Sequence, residues 1–306
     1  MDGNGRQVEF RPRSRVNPRS AWLAQHARNV TSQDGEDGII EKIFEVVPPA
    51  NRWCLEIGAY DGKLHSNTWN LIVNRGWRGV LVEGRTLLYE QLAARYRAGN
   101  PEPEGRVADK VVLYHEYAAF EGPRSLDALL SRAGAPRDLD FLSIDIDSND
   151  WHLWDALKVY RPRVLQIEFN ATIPNDVYFV QERDATVTHG CSLLALIELG
   201  KKKGYELVAA QTANAFFVRT ELYPAFGIPD NDIDAMYFGN AHLQTRLFQG
   251  YDGELILAGY QTLHWPNLAF SAKDIQVLPG ALRRYGTMFV DSQAEARADQ
   301  ADAEKR

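Results

Sequence analysis

Between residues 36 and 219 the apolar positions switch period repeatedly. Runs of strand length ("RWCLEIG", "RGVLVEG", "KVVLYHEYA", "DFLSIDID" and "RVLQIEFN") alternate with segments whose apolar residues recur at helical spacing. The first helical segment, "SQDGEDGIIEKIFEVV", offers Asp37 as a helix cap ahead of Ile39, Ile40, Ile43 and Phe44. "SNTWNLIVNRG" predicts a helix closed by Gly76, and "TLLYEQLAARYRAG", "SLDALLSRAG", "DWHLWDALKVY" and "SLLALIELGKKKG" predict four more. Strands that alternate with helices and are apolar throughout predict an α/β fold, a mostly parallel, doubly wound sheet covered on both faces. Too few residues separate "YELVAAQ" from "NAFFVR" for a helical crossover, so this pair predicts an antiparallel hairpin at one edge.

After residue 220 the alternation stops. "LFQGYDGELILAGY" predicts a hairpin turning at Asp252-Gly253. The chain therefore divides into a flexible N-terminal arm over 1–29, a Rossmann-like domain over 30–220, an appended C-terminal segment or cap over 221–290 and a polar tail over 291–306. The 306 residues are 45% hydrophobic, enough for a sizeable core. A net charge of −7 argues against a general polyanion binder, so no nucleic-acid partner is expected. Cys54 and Cys191 are the only cysteines, and Cys54 lies inside an apolar run, which fits a reducing compartment. No apolar stretch approaches the ~20 residues that span a bilayer, and the start lacks the apolar region of a signal peptide. The expectation is a soluble cytoplasmic protein without a membrane partner, for which a homo-oligomer is compatible.

Acids then change the picture. The first strand ends at Glu56, the second at Glu83, the fourth at Asp145 and Asp147, the fifth at Glu168. Open α/β sheets bind ligands in the crevice outside the carboxyl ends of their strands. In an extended chain Ser143, Asp145 and Asp147 share one face, as do Gln166, Glu168 and Asn170. Glu56 introduces the turn "EIGAYDG", whose glycines let backbone approach a ligand closely. Glu83 follows Gly62 by 21 residues, near the ~20-residue spacing at which a second-strand carboxylate grips ribose hydroxyls. An adenosine-type cofactor is the expectation. Hard oxygen donors converging from neighbouring strands suit Mg²⁺, Mn²⁺ or Ca²⁺.

With these motifs the chain resembles the class I S-adenosylmethionine-dependent methyltransferases. "LEIGAYDG" looks like their first motif and "LVEG" like the second. "SQDGEDGIIEKIF", "SIDIDSNDWHLWDAL", "RPRVLQIEFNA" and "KKKGYELVAAQTANAFFVR" are similar to the bacterial FkbM-type group, over about residues 30–290. The resemblance implies S-adenosylmethionine as cofactor. Glu56, Gly58 and Ala59 would line its methionine end, Glu83 would hold the ribose, and Asp61 and Gly62 would complete the binding turn. Tyr60 stands where the common motif has its middle glycine. Similarity to metal-dependent O-methyltransferases of the catechol type implies Asp145, Asp147, Glu168 and Asn170 as ligands of Mg²⁺ or another divalent cation. The Glu-Phe-Asn spacing departs from the adjacent Asp-Asn pair of that type. The implied reaction is methyl transfer to a hydroxyl of a small-molecule acceptor, a sugar or secondary metabolite.

Two other enzyme classes use Asp-x-Asp after an apolar strand. Haloacid-dehalogenase-type phosphatases carry Thr or Val where this chain has Asn149, and keep the pair on the first strand. Nucleotide-sugar glycosyltransferases are the stronger rival, although they do not need "EIGAYDG" or its relation to Glu83. A non-catalytic binding protein on a methyltransferase fold is the third reading, against which stand the intact strand-end acids. His65 and His189 are candidate catalytic bases, each with an alternative as a hydrogen-bonded structural histidine. The loop of about 20 residues before the last long helix is long enough to be functional, and is expected to shape the acceptor pocket together with the 221–287 segment.

Overall fold

Apolar strands need partners on both edges and cover on both faces, and the sheet supplies both. The computed structural model describes residues 8–11, 13–239, 243–251 and 253–283. Seven strands form one sheet: β1 (Trp53–Ile57), β2 (Arg78–Glu83), β3 (Val111–His115), β4 (Phe141–Ile144), β5 (Val164–Glu168), β6 (Tyr205–Gln211) and β7 (Asn214–Arg219). Their order is β3-β2-β1-β4-β5-β7-β6. The first five run parallel, and β7 lies antiparallel between β5 and β6. This is the Rossmann-like sheet with an antiparallel edge hairpin that the pattern predicts.

Helices α1 (Glu36–Val46), α2 (Thr86–Arg95), α3 (Leu126–Arg132), α4 (Asp150–Ala156) and α5 (Leu193–Lys203) connect the strands. "SNTWNLIVNRG" forms a single wide turn, Asn70–Asn74, ahead of left-handed Gly76. Register assigns the faces. Phe141 stands opposite Val164, and Val164 opposite Val218, so these three share a face that excludes Phe217. Phe44 of α1 packs on Phe141, whereas Trp154 of α4 packs on Phe217 and Tyr205. Helix α1 thus covers one face and α4 the other. Leu55, Leu142, Ile144, Leu165 and Ile167 between them are fully buried, each contributing about 1.5–3 kcal/mol.

Two compact units emerge, Ser14–Gly239 and a second made of Met1–Arg13 with Asn240–Arg306. Residues 14–29, which composition assigns to a flexible arm, pack within the first unit: Leu23 is fully buried and Asn17 donates its N–H to the Ala235 carbonyl. Residues 221–239 belong there too, including the short helix α6 (Ile233–Met236). Asp37 lies in the first turn of α1 rather than at its cap. Gly35, left-handed at φ 102°, takes the cap, and the Asp37 carboxylate accepts the N–H groups of Val30, Thr31 and Ser32. In the second unit β8 (Thr245–Gln249) and β9 (Leu255–Gly259) form the expected antiparallel hairpin. Its turn uses left-handed Gly253, while Asp252 lies outside the described residues, as do residues 284–306 with the tail.

At the amino end of the strands one acid is fully engaged. Buried Asp140 accepts N–H groups from Ala50, Asn51 and Arg52 and pairs with Arg163 at 2.8 Å. Asp140→Ala would leave these donors and the guanidinium unpartnered. Urea titration should show a loss of about 3 kcal/mol or more, and a loss within error of zero would contradict this role.

Candidate active site

The strand order reverses between β1 and β4, and the turn after β1 closes directly on the end of β4. Gly58 is left-handed at φ 84°, and a Cβ there would lie 1.9 Å from the Asp145 carbonyl oxygen. Only glycine permits that approach. The N–H groups of Gly58 and Ala59 both donate to the Val82 carbonyl. Tyr60, in the place of the motif's middle glycine, is itself left-handed at φ 52°. Its N–H donates to Glu83 Oε2 at 2.9 Å, and the Arg85 guanidinium lies over its ring. Asp61 Oδ1 accepts the N–H groups of Lys63 and Leu64, and its other oxygen pairs with Arg95 at 2.6 Å. Burial pushes the Asp61 carboxyl up, but these amides and Arg95 outweigh it and hold it below the usual range. Asp61 and left-handed Gly62, packed on Leu92, fix the turn's shape.

Glu56 faces inward. Its carboxylate accepts from Ser66 Oγ, Thr68 Oγ1 and the Asn67 N–H at 2.6–2.7 Å. Burial raises its pKa despite these donors. It braces the 66–68 loop, a duty the sequence reading did not assign to it. Glu83 is nearly as buried and accepts from the N–H groups of Tyr60 and Arg85, which leaves part of its acceptor capacity open.

The acids of β4 and β5 meet. Asp145 continues the ladder one residue past β4 by donating its N–H to the Ile57 carbonyl. The extended alternation ends there. Asp147 is left-handed at φ 59° and reaches the cluster through a turn, with its N–H on Glu168 Oε2 at 2.9 Å. Single carboxylate oxygens of Asp145, Asp147 and Glu168 lie within 4.8 Å of one another. Among the described residues no Lys, Arg or His pairs with any of them. Burial, then the charges of Asp150 and Asp147, push Asp145 up to about 8. Burial, then Asp145, raises Glu168 well above the carboxylate range. Asp150, missed from sequence as a site residue, accepts the N–H groups of Ile146 and Ser148 and holds the turn; burial lifts it to about 6.

Asn170 is a correction to the expected ligand set. Its Oδ1 accepts from both the N–H and the hydroxyl of Thr172, and its amide donates to the His189 carbonyl. Both lone pairs are taken, so that oxygen is not offered to the cluster. His65 and His189 are exposed, and neither ring hydrogen-bonds to another described residue. The long loop is tied by buried Gln181. Its Oε1 accepts the N–H groups of His189 and Gly190, and its amide donates to the carbonyls of Val187 and Asp184. The bracing of a second loop also escaped sequence reasoning. In the loop before α1, Asn29 Oδ1 accepts from Ser32 Oγ and the Gly35 N–H, and the Asp34 carbonyl accepts from Gln211.

No family model and no curated protein matches the chain. Solved structures similar to it include the O-methyltransferase from Bacillus cereus in complex with SAH, at 17% identity and a TM-score of 0.41, covering 66% of this chain and 91% of that one. The N-terminal domain of EvdMO1 in the presence of SAH and D-fucose is similar at 15% identity and a TM-score of 0.39, with 63% and 84% covered. A SAM-dependent methyltransferase from Geobacter sulfurreducens in complex with SAH gives 14% and 0.37, with 63% and 73% covered. Likeness of this degree carries no argument about chemistry. The strand order and directions define the fold by themselves. Among the described residues no helix is long and apolar enough to cross a membrane.

The acid cluster has a pH signature. With its folded pKa near 8 and an unfolded value of about 4, Asp145 binds more protons folded than unfolded between those values. Its contribution is neutral below about pH 4 and increasingly destabilising as the pH rises toward 8. In chelated protein, Asp145→Asn should therefore melt progressively higher relative to wild type from about pH 5 to about pH 8, by on the order of 2 kcal/mol. An offset independent of pH would contradict the shift.

Proposed function

We propose that this chain binds S-adenosylmethionine at the β1–β4 switch point and transfers its methyl group to a hydroxyl of a small molecule, assisted by a divalent cation. The observation that carries the reading is the meeting at one sheet edge of a glycine turn after β1 and three acids from the ends of β4 and β5, where open α/β sheets bind their ligands. The Gly58–Gly62 turn would receive the methionine portion, and Glu83, with acceptor capacity open at the end of β2, the ribose hydroxyls. Asp145, Asp147 and Glu168 would hold the cation: three carboxylates without a cationic partner fit a hard divalent ion. Such an ion, when bound, lowers the pKa of a hydroxyl and orients it. The hydroxyl oxygen attacks the sulfonium methyl in line, the C–O bond forms as the C–S bond breaks, and the proton leaves the oxygen. Exposed His65 and His189 are the candidate acceptors for it. The acceptor class we favour is a sugar or secondary metabolite, and the two cysteines, one of them inside an apolar strand, fit a reducing, cytoplasmic setting.

Calorimetry with S-adenosylmethionine and its demethylated product tests cofactor binding. Glu83→Ala should weaken either ligand by roughly 1–3 kcal/mol. Absence of heat with both, alongside binding of a nucleotide-sugar, would transfer the site to glycosyl transfer. The cation is tested separately. Methyl transfer to hydroxylated acceptors should fall at least about tenfold on rigorous chelation and recover with Mg²⁺ or Mn²⁺. Undiminished transfer would remove the ion from the reaction.

A further inference from the structure

Beneath the acids lies a pair of side chains that the fold leaves without partners. Ser143 and Gln166 are fully buried, and the Ser143 hydroxyl oxygen and both ends of the Gln166 amide form no hydrogen bond. They are register partners across β4 and β5, about 4.8 Å apart along the sheet. Two residues further along the same strands, on the same face, come Asp145 and Glu168.

The acids nearest this pair are engaged elsewhere, while Asn67 Oδ1 and Asn214 Oδ1 nearby are likewise unpartnered. In the same row, Glu56 stands beside Ser143 with its oxygens on Ser66, Asn67 and Thr68, and apolar Phe216 stands beside Gln166. On α1, which covers this face, Glu36 accepts from Asp34 and Asn214, and Asp37 from Val30, Thr31 and Ser32. A buried amide unpartnered at both ends is destabilising. Three such atoms stand side by side, one row inward of Asp145 and Glu168 on the same sheet face.

We propose that the cation site extends one pair of residues inward and that Gln166 Oε1 is its neutral oxygen ligand, in the part the family resemblance implied for Asn170. The inference rests on the cation reading above. It accounts for the three orphan atoms of this pair: Oε1 would face the ion, the amide N–H would donate to Ser143 Oγ, and the Ser143 hydroxyl to a ligating carboxylate. A hard divalent ion takes six or more oxygens and accepts amide carbonyls among them, and the three carboxylates bring one facing oxygen each.

The test uses Mn²⁺ alone, with free ion counted by electron paramagnetic resonance on full-length, cofactor-free protein. Wild type should bind Mn²⁺, Gln166→Met should bind it roughly ten- to a hundredfold more weakly, Gln166→Glu should restore binding, and Asn170→Ala should leave it unchanged. Metal-free Gln166→Met should melt no lower than wild type, because it removes two unpartnered atoms. Should Gln166→Met fail to fold, Gln166→Leu carries the same comparison. Wild-type affinity in the folded apolar variant overturns the inference while leaving the cation reading in place; melting below wild type would then mark Gln166 as a structural amide satisfied by buried water. No Mn²⁺ on wild type removes the cation reading, and this inference with it.

Discussion

The structure depends on one close approach, that of Gly58 to the carbonyl of Asp145, where a single added carbon would stand 1.9 Å from oxygen. Because the backbones meet there, the turn after β1 and the turn after β4 are parts of one surface. The approach fixes the height at which Asp145 leaves the sheet. Through the hydrogen bond from Tyr60 to Glu83 it also ties the end of β2 to the same surface. Sheet pairing brings β5 alongside, and Glu168 arrives without any further device.

The charges fall into two groups. Acids that serve the fold sit beside cations: Asp140 is held by three amides and Arg163, and Glu104 takes the Trp69 ring N–H on Oε1 with Lys63 and Arg95 close by. Burial pushes Glu104 up, yet these partners hold it below the carboxylate range. The cluster at the carboxyl ends is the opposite case, three acids facing one another with their pKa values raised or their charge turned outward. Asp140 and Glu104 thus have cations at hand, whereas among the described residues Asp145, Asp147 and Glu168 have only one another and backbone N–H groups.

Much of this was legible in the sequence, and the failures share a cause. Period and turn chemistry identified the seven strands, the main helices and the edge hairpin, because apolar burial dictates all of them. The meeting of Asp145, Asp147 and Glu168 followed from strand ends alone. Alternation predicted extended backbone through Asp147, but the chain turns left-handed there, and a local turn of this kind leaves no periodic trace. Asn170 sat on the correct face, yet Thr172, two residues on, takes its oxygen. Alternation placed Gln166 on one strand face with Glu168 and Asn170 but gave it no role. Its significance lies in what its neighbours across the sheet are already bonded to, which no local pattern encodes. The segment before α1 looked like an arm because its anchors, Leu23 under the core and Asn17 on Ala235, depend on residues distant in the chain.

The knot that Gln181 makes with residues 184–190 has a consequence for rigidity. A loop cross-braced from within by one buried amide keeps its shape without help from anything docked against it. The conformational entropy of that stretch is lost on folding, not on association. Loosening it would begin with Gln181, whose amide carries four of its cross-bonds.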